Sequence, residues 1–204
     1  MPSAPAARTA SSPNKAVGIE PVIVQGYPNN SQDFTPVVLA VKRSGADIIG
    51  SYVALDTDQG ILARQMRQLG VGIDWIGSPT ITNTAVLTLA GSALHGTYGV
   101  ADFHEKANPV AEAFAEKYKA AYGIRPDFLS AWTYDAVTLL AKAITAAGST
   151  APDAIRSEIL TVRGFEGVEG TYNFDQNGDS LHGYNLVHND NGTWIFDRHI
   201  EIKE

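Results

Sequence analysis

Residues Ala46–Ser78, ADIIGSYVALDTDQGILARQMRQLGVGIDWIGS, decide the fold because they read as one strand–helix–strand unit. Ala46–Tyr52 is a short apolar run with Ile48 and Ile49, the pattern of a strand covered on both faces. Asp56 with Gln59 three residues on is spaced as a capping box. Leu62, Met66 and Leu69 then fall on one stripe, Arg64, Arg67 and Gln68 point away, and Gly70 supplies a left-handed stop. Asp74–Ile76 is the next strand and leads into Gly77-Ser78-Pro79-Thr80. Small ligands sit at the carboxyl ends of parallel strands. Those ends are Gly50–Ala54 and Gly77–Thr80, so function is sought there.

The rest of the chain extends this α/β pattern. Met1–Lys15 is rich in Pro, Ala and Ser and lacks the apolar block of a signal peptide, so residues 1–16 are expected to form a disordered tail. Pro21–Gln25 reads as a strand and Tyr27–Gln32 as a turn-rich loop. Asp33 or Thr35 caps a helix that carries Pro36, Val37, Val38 and Val41 and ends at Gly45. Beyond Ser78 the pattern gives a helix at 82–90 and a strand at 96–100. A helix opened by Asn108-Pro109 follows, with Val110, Phe114, Tyr118 and Ala121 on one face. The longest helix covers 126–147; its stripe of Leu129, Trp132, Ala136, Leu140, Ala143 and Ile144 is broad enough for burial on more than one side. A short helix at 152–160 ends the helical period. From Phe165 the period is that of strands, with Thr171–Phe174 turned by Asp175–Asp179 and a hairpin at Asn191-Gly192.

Composition bounds the function. The chain has 204 residues, 44% hydrophobic and 18% charged, enough for a packed core. Its formal net charge of −7 leaves no basic surplus for a phosphate backbone, which argues against nucleic acid as the partner. No apolar run is long enough to span a bilayer. The absence of cysteine removes disulfides, thiolate catalysis and Cys-based metal sites.

The candidate constellations are modest. Asp175–Asp179 starts like a calcium loop, but Ser180 and Leu186 stand where an EF-hand needs Gly and Glu, so a hairpin turn explains it better. The five histidines show no zinc-site spacing. Asp102-Phe103-His104-Glu105 can hold an acid/base pair, though a solvated loop is the simpler reading. There is no Gly-x-Ser-x-Gly elbow, P-loop or dinucleotide fingerprint, so no enzyme is expected, and no metal or cofactor. Tyr52, Tyr98, Trp132 and Tyr134 are cleft candidates, with core packing the default for Trp132 and Tyr134. Tyr52 closes a strand at its carboxyl end, where side chains leave the core. Ser78 ends the next strand, where its hydroxyl and N–H can both face a ligand.

With these residues placed, the chain resembles the solute-binding proteins of branched-chain amino acid ABC transporters, the leucine/isoleucine/valine-binding type. The pieces stand in that family's order: Asp33-Phe34, Gly45–Ile49, Ile61–Gly70, Trp75–Pro79, Leu94–Val100, Pro109–Gly123, Ala131–Leu140 and Gly167–Gly178. The resemblance implies a Rossmann-like type I periplasmic binding protein, α/β, with two lobes that close on an amino acid and deliver it to a membrane permease. It implies ligand contacts from Tyr52 and Ser78 in the second lobe and Leu129 in the first. Residues 17–101 are then part of lobe two, 102–180 the C-terminal part of lobe one, and 181–204 a hairpin returning to lobe two.

The departures from the family are informative. Its frequent acidic residue in the 77–80 loop is replaced here by Ser-Pro-Thr. Its N-terminal half-lobe and the first strand and helix of lobe two, about 100–150 residues, have no counterpart, nor do the serine and threonine that grip the ligand. The chain is therefore expected to be a truncated form without that part of the ligand grip, and to be marginally stable or to self-associate through an exposed sheet edge. The family's address is the periplasm, while this sequence shows no export signal. A ligand-sensing domain of the same fold, coupled to a signalling partner, is the alternative; a hydrolase or dehydrogenase ranks last.

Overall fold

Residues 18–180 and 182–200 are described in the computed structural model; the expected tail at 1–16 lies outside them. The organising strand–helix–strand unit forms in the order read. Helix α1 (Thr35–Ser44) ends at Gly45 in the left-handed region, φ 73°, and leads into strand β1 (Ile48–Ser51). Helix α2 (Asp56–Gln68) follows, Gly70 turns the chain at φ 70°, and strand β2 (Asp74–Gly77) lies parallel to β1 with Ser51 opposite Gly77. A 3-10 turn at Pro79–Thr82, helix α3 (Thr84–Ala90) and strand β3 (Tyr98–Ala101) extend the parallel set.

Strands β6 (Tyr184–Asp190) and β7 (Thr193–Ile200) complete a five-stranded sheet of order β1-β2-β3-β6-β7, with β6 antiparallel to β3. Asn191 at φ 50° and Gly192 at φ 92° make the two-residue turn between Asp190 and Thr193 that the Asn-Gly pair requires. Helices α4 (Pro109–Tyr122), α5 (Phe128–Ala147) and α6 (Pro152–Thr161), with a small sheet of β4 (Phe165–Glu166) and β5 (Thr171–Tyr172), form a second group. Asn108 and Asp127 cap α4 and α5 by accepting the Ala111 and Ser130 N–H groups.

The main core packs α1, α2 and α3 against the sheet through Phe34, Val38, Leu62, Met66, Ile81 and Leu94. At its centre the register sets Gly77 opposite Gly99. A Cβ on Gly77 would lie 2.7 Å from Ile81 Cδ1, and one on Gly99 would lie 2.7 Å from Thr82 Cγ2 and 3.0 Å from Ile81 Cγ2. The absence of side chains at this pair lets the Pro79–Thr82 turn lie directly on the sheet, with Ile81 fully buried.

Several local expectations are corrected. Pro21–Gln25 forms no strand and makes no backbone ladder, because among the described residues no strand lies beside it. β1 is an edge strand in which exposed and half-buried residues alternate, so it is not covered on both faces. Asp56 is the first residue of α2 rather than its cap, and its carboxylate accepts Asn83 Nδ2 at 3.0 Å; this long-range partner displaces the capping box, and Gln59 is fully buried. Arg67 does not simply face solvent: its guanidinium donates to the Ala93 and His95 carbonyls at 3.0 and 2.9 Å. α1 has Phe34 at its N-cap, and Asp33 accepts the Thr35 N–H from just outside. α5 buries only the narrow row Ala131, Asp135, Leu139 and Ala143, leaving Leu129, Trp132, Ala136 and Leu140 exposed. On α4, Phe114 is buried as expected, but with Ala111 and Ala115, while Val110 and Ala121 are exposed.

Overpacking makes the glycine pair testable. Gly99→Ala is expected to lower stability in urea unfolding by about 1–3 kcal/mol. Gly50→Ala on β1, where a Cβ meets nothing within 4 Å, is expected to leave it nearly unchanged.

Candidate functional site

Parallel pairing brings the carboxyl ends of β1, β2 and β3 side by side, so Tyr52, Ser78 and Asp102 leave the sheet on one rim. Tyr52 is 86% exposed and is the most projecting aromatic group there. Ser78 is buried: its N–H donates to the Ser51 carbonyl at 2.9 Å, and its hydroxyl accepts the Val53 N–H at 3.3 Å. The two groups that the sequence aims at a ligand thus tie the β2 end to the β1 end. Leu129 lies in the first turn of α5, exposed, and no hydrogen bond joins it to Tyr52 or Ser78 among the described residues.

Asp102 and His104 depart from the solvated-loop reading. Asp102 is buried, and desolvation raises its carboxyl to about 6. His104 is lowered by burial, with its ring nitrogen 3.4 Å from the Trp194 carbonyl oxygen. The segment packs under β7 instead of entering water. Trp132 and Tyr134, read as core by default, are both exposed.

A second cluster went unseen in the sequence. Asp135, on the buried row of α5, accepts the N–H groups of Val168 and Glu169 at 2.9 and 3.1 Å and so fixes the Gly167–Gly170 loop. Gly167 permits this approach, since a Cβ there would lie 2.5 Å from Asp135 Oδ2. The Tyr172 hydroxyl sits 3.2 Å from Asp135 and 2.9 Å from Glu169. Glu169 is only 2% exposed, and its carboxyl is pushed up to about 8. Burial is the main cause, the Tyr172 hydrogen bond opposes it, and the charges of Asp102 and Asp135 add to it. Tyr172 is raised as well, first by burial and then by the two carboxylates. The single phenolic proton of Tyr172 stands between the two carboxylates, with Glu169 Oε2 the nearer acceptor.

This cluster lines a cavity of about 310 Å³ together with Trp132, Phe165, Phe174 and His182. It lies within electrostatic reach of the strand ends: Tyr184, at the start of β6, is raised by burial and then by Asp102, Tyr52 and Glu169. The available signal was a carboxylate at a core position of an otherwise apolar helical row, Ala131, Asp135, Leu139, Ala143. Among the described residues no group of His, Asp and Glu is arranged to hold a metal ion. The loop after Phe174 is an Asx turn in which Asp175 accepts the Asn177 and Asp179 N–H groups.

An open sheet whose parallel strands end on a common rim beneath an exposed aromatic, with a cavity of mixed aromatic and acidic lining nearby, has the α/β architecture in which small ligands sit at strand ends. The family model described as periplasmic binding protein matches residues 3–193, and the chain belongs to that family. It is 27% identical over 169 residues to Leu/Ile/Val-binding protein homolog 1 of Brucella suis, covering 82% of this chain and 45% of that one. The leucine-, isoleucine-, valine-, threonine- and alanine-binding protein of Pseudomonas aeruginosa matches at 27% over 164 residues, covering 79% of this chain and 43% of that one. In structure it resembles a leucine binding protein of Thermotoga maritima with a TM-score of 0.79 and 31% identity, over 86% of this chain and 50% of that one. The chain thus spans about half the length of these relatives, and its fold is that of type I periplasmic binding proteins.

The buried carboxyl predicts a pH signature. Glu169 holds its proton more tightly folded than unfolded, so its contribution to stability is complete below about pH 4.5 and is lost progressively up to about pH 8. Glu169→Gln removes that loss. Melting temperatures followed across this range are expected to coincide for the two proteins at the acid end and to diverge towards pH 8 in favour of the variant.

Proposed function

We propose that this chain is a solute-binding component of an ABC transporter, holding a small amino acid of the branched-chain type in a cleft and presenting it to a membrane permease. The observation that carries this reading is the shared rim of strand ends crowned by Tyr52, in a family whose relatives are named for leucine, isoleucine and valine. Tyr52 packs on the ligand from the rim, and Ser78 keeps the two strand ends in register beneath it. Leu129 supplies an apolar contact from the opposite side when the cleft closes, a hinge motion in which binding shifts the population towards the closed form. In this reading 17–101 and 181–204 belong to one lobe and 102–180 to the other, and the molecule works in the periplasm as a binder and not an enzyme. Self-association through the exposed sheet edge is part of the same proposal.

Calorimetric titration of the purified chain with leucine, isoleucine, valine and a panel of other amino acids tests it. Binding to a branched-chain member is expected, weakened by Tyr52→Ala at least tenfold, about 1.4 kcal/mol. A chain folded by circular dichroism that gives no heat with any of the panel overturns the reading for this molecule.

A further inference from the structure

We infer that the edge of β1, unpaired among the described residues, is the docking edge for residues 21–25 of a second copy of this chain. The inference rests on the self-association proposed above and names the contact that makes it. The two edges of the sheet differ in chemistry. The β7 edge carries Asp197, Arg198 and His199, and the ladder it shares with β6 is interrupted by an irregularity at Leu186/Val187. Charges and bulges of this kind blunt a sheet edge against further pairing. The β1 edge is Ile48-Ile49-Gly50-Ser51, with no charge, no proline and no irregularity in its register with β2. It is the undefended edge.

The same chain also carries the strand that such an edge lacks. Pro21-Val22-Ile23-Val24-Gln25 has strand composition and no charge, yet no backbone hydrogen bond joins it to any other residue among those described. Val22 and Val24 are 70% and 64% exposed, and Ile48 on the edge is 58% exposed. The segment does not fold back onto its own β1. Tyr27 packs against Phe34 at the N-terminus of α1 with ring centroids 4.8 Å apart, and the Asn30 N–H donates to Asp58 Oδ2 at 3.0 Å. These contacts tether the residues just after 21–25 to the helical side of the core. In a second copy the same tether leaves residues 21–25 exposed, and it does not fix their distance from the β1 of another molecule.

The exchange is reciprocal, each copy laying residues 21–25 along the β1 of the other, as a two-fold interface requires. Main-chain hydrogen bonds hold the strand, and burial of Val22, Val24 and Ile48 adds apolar area. Two short ladders make an interface at the small end of the stable range, so the dimer is expected to dissociate on dilution.

Light scattering coupled to size exclusion, over a dilution series from submillimolar to micromolar, tests this. The expected result is a mass that falls from twice that of the chain towards that of the chain. The double variant Ile23→Pro with Val24→Pro, which removes N–H groups in both phases of the strand, is expected to be monomeric throughout with an unchanged circular dichroism spectrum. Should that variant misfold, a synthetic peptide of residues 19–27 added to the unaltered chain decides instead, and is expected to lower the dimer fraction. A chain monomeric at every concentration overturns the inference. So does a dimer that survives both the prolines and the peptide, or one that is broken instead by Leu140→Glu on the exposed face of α5.

Discussion

The close approach of Ile81 to the Gly77–Gly99 pair is the contact on which the rim of strand ends depends. Two glycines opposite each other in neighbouring parallel strands leave a hollow one side chain deep. Into it the chain drops the turn that follows β2, burying Ile81 completely. Because the turn cannot move without opening that hollow, Ser78 is held where its N–H and hydroxyl engage Ser51 and Val53. The β1 end is fixed in turn, and Tyr52 is left projecting from it. The shape of the rim follows from packing in the centre of the sheet.

A different force organises the other group of elements. Asp135 has little apolar surface to offer, yet it lies in the buried row of α5 because two backbone N–H groups and a phenol satisfy its carboxylate. That arrangement shapes the 167–170 loop and draws Glu169 into surroundings where its charged form is disfavoured. Asp102 and Tyr184 couple this acidic group to the strand ends electrostatically. The cavity beside α5 and the rim of the sheet therefore share one field, although different chain segments build them.

How much of this was legible depended on the range of the interaction involved. The helix from Asp56, its glycine stop, the parallel pair around it and the Asn191-Gly192 hairpin were readable because each is fixed by neighbours in sequence. The capping role of Asp56 was not, since the group that claims its carboxylate is Asn83, in a later turn. Pro21–Gln25 had every local mark of a strand and formed none, because a strand exists only where another lies beside it. The broad apolar stripe of α5 was read as buried on more than one side, but hydrophobicity reports what a face can cover and not what is there to cover it.

The sequence by itself determined the class of fold, the order of its elements and the strand ends where a ligand is to be sought. These follow from periodicity and turn chemistry, which act over a few residues. Tertiary structure alone decided that Ser78 is tied inward while Tyr52 projects, and that Asp135 and Glu169 lie buried around Tyr172. It also decided that β1 stands at the edge of the sheet among the described residues. Each of these outcomes joins residues far apart in the chain, where burial and hydrogen-bond satisfaction select among partners that local patterns cannot rank.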